Sequence, residues 1–215
     1  MQFGNLKIEG FAGLAPMAGV ADRAFRELCR EYGAAYTVSE MISSKGVTMG
    51  DKKSKELMTL NEKERPAGVQ IFGSDPEIMA QSINSVLETR PDFIDINMGC
   101  PVNKVVKGTD GCALMRNVDL AQEIVRTVKA EISIPLSVKF RLGYTFDELN
   151  FVEYGQKMQE AGADFITIHG RTRSQMYGGK ADWKKIAELK RNVDIPVFAN
   201  GDVVSIETAV QCLEE

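Results

Sequence analysis

The chain has 215 residues, 44% hydrophobic and 26% charged, with a formal net charge of −4. That is ordinary for a globular protein, no apolar run approaches the roughly 18 residues of a membrane span, and the mild acidity excludes a global basic field for nucleic acid but not a local basic patch. The four cysteines (Cys29, Cys100, Cys112, Cys212) form no CxxC pair, and there is one histidine, His169; zinc spacings, redox dithiols and sites needing two imidazoles are thereby set aside. Free cysteines without a signal-peptide pattern over residues 1–10 point to a reducing, cytoplasmic setting.

In chain order, residues 11–17 read as a first strand ending at a proline. Gly19 and Asp22 open a helix with Phe25, Leu28 and Cys29 inward, closed by Gly33. Residues 35–39 form a short second strand. Residues 40–65 are long, polar and lysine-rich with a brief helical pattern near Leu57, either a functional lid or a solvated excursion. Residues 67–72 are a third strand. Ser74 and Glu77 make a capping box with Pro76 in the first turn, and Met79, Ile83, Val86 and Leu87 give that helix its buried stripe.

Residues 92–96 are an apolar fourth strand running into Asn97-Met98-Gly99-Cys100-Pro101. A helix follows over 118–131. Residues 134–140 are strand five, and 147–161 its helix. Residues 164–169 are strand six, and Asp182 caps a helix with Trp183, Ile186 and Leu189. Residues 195–199 are strand seven, and Ser205 caps a last helix with Ala209, Val210 and Leu213 inward. Seven strands alternating with helices about every 30 residues mean parallel βαβ units. A doubly wound sheet competes, but Ala15-Pro16-Met17-Ala18-Gly19 is not its Gly-rich phosphate turn. An α/β fold of the TIM (β/α)8 barrel type fits better, with about seven units in the chain. The expectation is one barrel domain over residues 1–215, incomplete at its C-terminus and continued in a longer protein, since closure takes an eighth strand.

Polar residues stand at most predicted strand ends: Met17, Gln70, Asn97 with Cys100, Lys139 with Arg141, His169 with Arg171, and Asn200-Gly201-Asp202. In a barrel these share the catalytic face. Cys100 is either a small buried apolar residue or chemically active there. Lys139 points opposite to Val138 and Phe140, which favours the lumen over the helix layer. His169 is either a hydrogen-bonded core residue or a ligand-facing donor, and the 200–202 turn either caps a helix or receives phosphate. A lysine, amide donors and a phosphate-adjacent turn suit flavin mononucleotide (FMN), and a thiol of ordinary pKa suits a proton donor. No nucleophile motif surrounds Cys100, which counts against a Cys–His dyad with His169.

Ala15-Pro16-Met17-Ala18-Gly19-Val20, Asn97-Met98-Gly99-Cys100-Pro101, Lys139-Phe140-Arg141-Leu142-Gly143, His169-Gly170-Arg171-Thr172-Arg173 and Asn200-Gly201-Asp202, in that order and at even spacing, resemble the tRNA-dihydrouridine synthases, in particular the bacterial B-type branch. The resemblance implies an FMN-dependent barrel that reduces the 5,6 double bond of particular tRNA uridines with NADPH. It implies that Pro16, Met17 and Ala18 contact the flavin, that Gln70 and Lys139 hydrogen-bond its ring, that His169 lies beside it, and that Asn200, Gly201 and Asp202 line the phosphate end. Hydride would pass from reduced FMN to C6 of the base and Cys100 would protonate C5. Asn97 and Arg141 would grip a flipped-out uracil, and Arg171 and Arg173 would meet tRNA phosphates. The family pattern adds an eighth strand and a C-terminal helical domain that carries most of the tRNA binding; the remaining expectations are no metal, no membrane and a monomer. Cys112 stands where a small residue such as serine or alanine is expected. Another FMN barrel acting on a free pyrimidine (dihydroorotate or dihydropyrimidine dehydrogenase-like) and a fragment with weak or no activity are the competing readings.

Overall fold

The computed structural model describes residues 1–3 and 6–215. The chain opens with a two-stranded antiparallel hairpin, β1 (Gln2–Phe3) and β2 (Leu6–Lys7). There follow α1 (Arg23–Glu31), β3 (Thr37–Val38), β4 (Ile42–Ser43), α2 (Ser44–Thr48), α3 (Lys52–Met58), β5 (Ala67–Phe72), α4 (Pro76–Leu87), β6 (Phe93–Met98), α5 (Asn103–Val106), α6 (Val118–Ala130), β7 (Leu136–Arg141), α7 (Phe151–Glu160), β8 (Phe165–His169), α8 (Trp183–Arg191), β9 (Val197–Asn200) and α9 (Ile206–Glu214). Among the described residues every pairing between these strands from β3 onward is parallel, in the order β3-β5-β6-β7-β8-β9, with β4 also on β5. Helices cross over between consecutive long strands, which is the TIM-barrel arrangement. Leu14 makes one parallel bridge to Thr37, and among the described residues β9 pairs with β8 alone, so the curled sheet is open between them.

Period-2 alternation sorts the side chains into two cores. Val69, Ile71, Ile94, Ile96, Met98, Leu136, Val138, Phe140, Ile166 and Ile168 point outward and pack under the helices. Inside, Tyr36, Phe93, Phe165 and Phe198 meet edge-on, with contacting centroids 5.1–5.8 Å apart, and Phe3 of the hairpin joins them tilted at 4.6 Å from Phe165. The hairpin and this aromatic layer plug the N-terminal end of the lumen. Sequence reading assigned no element to this segment, because two-residue strands carry no measurable periodicity.

Other expectations need correcting. The first strand over 11–17 is reduced to the single Leu14 bridge, and Phe11 stands exposed. The 40–65 excursion is ordered: Ser43 and Asp51 cap α2 and α3, and Glu64 of a 3-10 turn forms a buried ion pair with Arg26 of α1. The cap of α4 is Asp75, not Ser74; its side chain accepts from the Ile78 amide at 3.0 Å, while Ser74 Oγ lies 2.9 Å from Thr109 Oγ1. α7 begins at Phe151 rather than 147, because residues 143–149 close an antiparallel bridge. The cap of α9 is Ser205, but its expected inward face is uncovered: Val210 is 47% and Leu213 67% exposed.

Candidate active site

Parallel register stacks the lumen side chains into layers. Above the aromatic plug, Gln70, Asp95 and Ser137 are neighbours across β5, β6 and β7. Asn97, Lys139 and Thr167 form the next layer, and Arg141, His169 and Asn200 the rim. A cavity of about 1010 Å³ runs through the lumen and out toward α8 and α9; Pro16, Met17, Asp95, Lys139, Thr167, Asn200, Gly201 and Asp202 are among its walls.

Lys139 lies on this lumen side, and its Nζ donates to Asn200 Oδ1 at 2.9 Å. Burial, then the neighbouring Arg141 guanidinium, lowers its pKa to about 8. His169 is nearly buried; burial, then Lys139, Arg141 and Arg171, lowers its pKa to about 3, so its imidazole is neutral. Its Nε2 is 3.3 Å from Arg171 Nη1. Gly201 sits at φ +109°, where a Cβ would meet the His169 ring at 2.8 Å, and Trp183 Nε1 donates to its carbonyl at 2.9 Å. Both features hold the 200–202 turn tight against β8.

Cys100 follows β6 by two residues and is half-buried. Burial raises its pKa, so it carries its proton at neutral pH. Cys112 is fully buried, its pKa pushed up by burial to about 12, and its amide donates to the Cys100 carbonyl at 3.1 Å. Asn97 Oδ1 accepts from the amides of Gly99 (3.2 Å) and Cys100 (2.9 Å).

Several expected ligand residues turn inward. Gln70 is in mid-strand, not at a strand end, and its amide bridges Asp95 and Asn97. Arg141 is 2% exposed: Nε donates to Gly99 O (2.9 Å) and Nη1 to Thr172 O (3.0 Å) and Met176 O (2.8 Å), tying the cysteine turn to the loop after β8. Arg171 is also buried, spent on the Gly178 and Gly179 carbonyls and a fork onto Asp202 at 2.8 and 2.9 Å. Arg173 bonds Asn103 Oδ1 and stands over the Tyr144 ring, which also carries Arg116 at 3.6 Å. Pro16 and Met17 border the cavity; Ala18 is exposed. Sequence reading passed over Asp95 and Ser137; the alternation Phe93, Asp95, Asn97 against Ile94, Ile96, Met98 was the available signal.

The model of the Dihydrouridine synthase (Dus) family matches residues 13–215. The chain belongs to the dihydrouridine synthase family. It is 40% identical to the probable tRNA-dihydrouridine synthase 1 of Synechocystis over 216 aligned residues, covering all of this chain and 61% of that protein. It is 44% identical to tRNA-dihydrouridine synthase B of Shewanella oneidensis over 97% of this chain and 65% of that protein. This dihydrouridine synthase family chain therefore spans about three-fifths to two-thirds of the length of those relatives. In fold it is similar to a 2-naphthoyl-CoA reductase complex (TM-score 0.72, 12% identity, all of this chain and 47% of that one). It is likewise similar to the old yellow enzyme homologue of Zymomonas mobilis (TM-score 0.68, 12% identity, all of this chain and 84% of that one).

Proposed function

We propose that these residues form the flavin-binding barrel of a tRNA-dihydrouridine synthase, which reduces specific uridines of tRNA to 5,6-dihydrouridine with FMN as resident cofactor and NADPH as reductant. The observation that carries this reading is the placement of the lumen-lining Lys139, held by Asn200, in register with the Asn97 that anchors the Cys100 turn, in a chain of this family. The residues suit FMN. The cavity has room for a flavin, its walls are mostly apolar, and among the described residues the amides of Gly201, Asp202 and Val203 find no acceptor, as an incoming phosphate needs. Pro16, Met17 and Ala18 would border the ring; Lys139 and His169 would meet its edge, with Gln70 buried one layer below, its amide held by Asp95 and Asn97; Asn200, Gly201 and Asp202 would lie at its phosphate end.

When bound and reduced, FMN supplies the hydride that C6 of the uracil receives. Cys100 holds the proton on Sγ for C5, and its raised pKa keeps that proton in place. Lys139, oriented by Asn200, supplies positive charge where the reduced ring gathers negative charge. His169, neutral and braced by Arg171, donates or accepts without adding charge. Asn97 and Arg141 shape the turn under Cys100 and border the place of the base, and Arg171 fixes the neighbouring loop. The target uridine must leave its stack to reach this depth. In this reading Arg173, with Arg116, marks the rim nearest to the tRNA backbone.

The test is a visible absorption spectrum of the purified chain supplied with FMN, followed by single turnover on unmodified tRNA. Flavin bands at about 375 and about 450 nm at near one-to-one loading, with dihydrouridine formed on addition of NADPH, are expected. A chain that stays colourless, or one that loads flavin and reduces free uracil but not tRNA, overturns the proposal.

A further inference from the structure

Asp95 is buried inside the lumen below the cysteine turn and takes no part in the chemistry proposed above. Gln70 Nε2 donates to its Oδ2 at 2.6 Å. Asn97 Nδ2 donates to Gln70 Oε1 at 2.9 Å. Asn97 Oδ1 accepts from Gly99 N at 3.2 Å and Cys100 N at 2.9 Å. Ser137 Oγ bonds the other carboxyl oxygen. The line thus runs from a buried carboxyl group through two amides to the backbone of Cys100.

Amide groups are reversible, so the direction of such a line has to be imposed by its ends. At the upper end, backbone N–H groups only donate, so the Asn97 atom facing them is its oxygen. Its nitrogen then faces Gln70, which must turn its own oxygen up and its nitrogen down. That nitrogen, on a side chain only 1% exposed, needs an acceptor, since an unpaired buried N–H is costly. Among the described residues Asp95 Oδ2 fills that place. An apolar residue at position 95 would release Gln70 to rotate, and a flipped Gln70 presents N–H to N–H at Asn97. Reversal is therefore felt at the cysteine turn, two layers above. Register makes the line possible: Gln70, Asp95 and Ser137 are direct neighbours on three adjacent strands, and Asn97 is the next inward residue of β6.

We infer that Asp95 is a positioning residue: as the acceptor at the closed end of the Gln70–Asn97 line, it sets the direction of both amides and holds the backbone of Cys100 in place. Its bearing on catalysis rests on the proton-donor role proposed for Cys100; the line itself does not. Two features distinguish this from simple filling of space. What matters at position 95 is an acceptor facing Gln70, so Asp95→Asn, whose carbonyl can face Gln70 while its NH2 faces Ser137, keeps the line. Asp95→Leu, of nearly the same shape, breaks it. The influence also passes through Gln70 alone, so breaking the middle is equivalent to breaking the end.

The experiment is iodoacetamide labelling of the full chain without flavin or tRNA, read by peptide mass spectrometry as the rate at Cys100 divided by the rate at Cys29 on the remote helix α1, with amide exchange at Gly99 and Cys100 measured alongside. Global loosening moves both cysteines; loss of the line moves Cys100 alone. Asp95→Leu is expected to shift the ratio and the Cys100 amide exchange more than threefold, and Asp95→Asn to stay within threefold. If Asp95→Leu fails to fold, Gln70→Met, which cuts the line and leaves Asp95 with Ser137, is expected to shift both by the same amount. Where Asp95→Leu folds, the double variant should add nothing to either single one. Values within threefold for Asp95→Leu or Gln70→Met, or additive effects, overturn the inference. Because no flavin or tRNA enters, a parent chain inactive on tRNA would count against the proposed function and leave this result standing.

Discussion

Two side chains at the barrel mouth hold their protonation states through burial, in opposite senses. Cys100 keeps a proton because its thiolate would be desolvated. His169 refuses one, with a pKa of about 3, because burial is reinforced by the cations Lys139, Arg141 and Arg171. The first state predicts that Cys100→Ala retains flavin but slows tRNA reduction by about 10²–10⁴, the usual worth of a positioned acid; rapid-quench turnover checks it, and a parent-like rate would remove Cys100 from the reaction. The second links stability to pH. The unfolded imidazole, with an ordinary value near 6.5, binds protons that the folded one rejects, so the contribution is complete above about pH 6.5 and is lost as pH falls toward 3. Thermal melts should show Tm falling between about pH 7.5 and about pH 5, with a smaller fall in His169→Gln. An equal fall in both proteins would mean that His169 is charged in the fold.

Among the elements, the helices divide by whether their apolar stripe is covered. Leu189 of α8 is fully buried and so close to α7 that a Cβ on Gly155 would meet its Cδ1 at 2.4 Å. Val210 and Leu213 of α9 have the same helical spacing but stand 47% and 67% exposed. Leu189→Ala should therefore cost about 2–5 kcal/mol, and Val210→Ala no more than about 0.5 kcal/mol, measured by urea unfolding of each variant against the parent. A large loss at Val210 would mean that α9 is packed in solution. The lysine-rich 40–65 segment shows the opposite surprise: α2 and α3 are capped, and the Arg26–Glu64 pair ties the segment to α1. Its polar composition described the outer face of short helices, not a loose loop.

The whole molecule is a parallel sheet curled around a lumen that is plugged below by aromatic rings and open at the mouth and between Leu14 and β9. Unpaired strand edges are templates for further pairing, so a ligand that bridges the cavity walls should add stability. If FMN spans Lys139, Asn200 and the 200–202 turn, its addition at about 100 times its Kd should stabilise the fold by about 2.7 kcal/mol. A thermal melt with and without FMN measures this, and an unmoved Tm would mean that the walls do not assemble a flavin site.

The sequence by itself determined the parallel βαβ rhythm, the caps at Asp182 and Ser205, and the family, because helix stripes, strand alternation and ordered motifs are local or carried directly by residue type. It placed Cys100, His169 and Asn200 at strand ends for the same reason, whereas Lys139, expected at a strand end, lies in mid-strand like Gln70 because β7 runs on to Arg141. Only the tertiary structure decided that Arg141 and Arg171 spend their guanidiniums on loop carbonyls and on Asp202, that Phe3 closes the lumen, that Val210 and Leu213 of α9 stand exposed, and that Asp95 stands under the cysteine turn. Each of these depends on the register between strands far apart in sequence, which places Gln70 beside Asp95 and Asp95 beside Ser137. Hydrogen-bond partners chosen across three strands leave no trace in the spacing of any one of them.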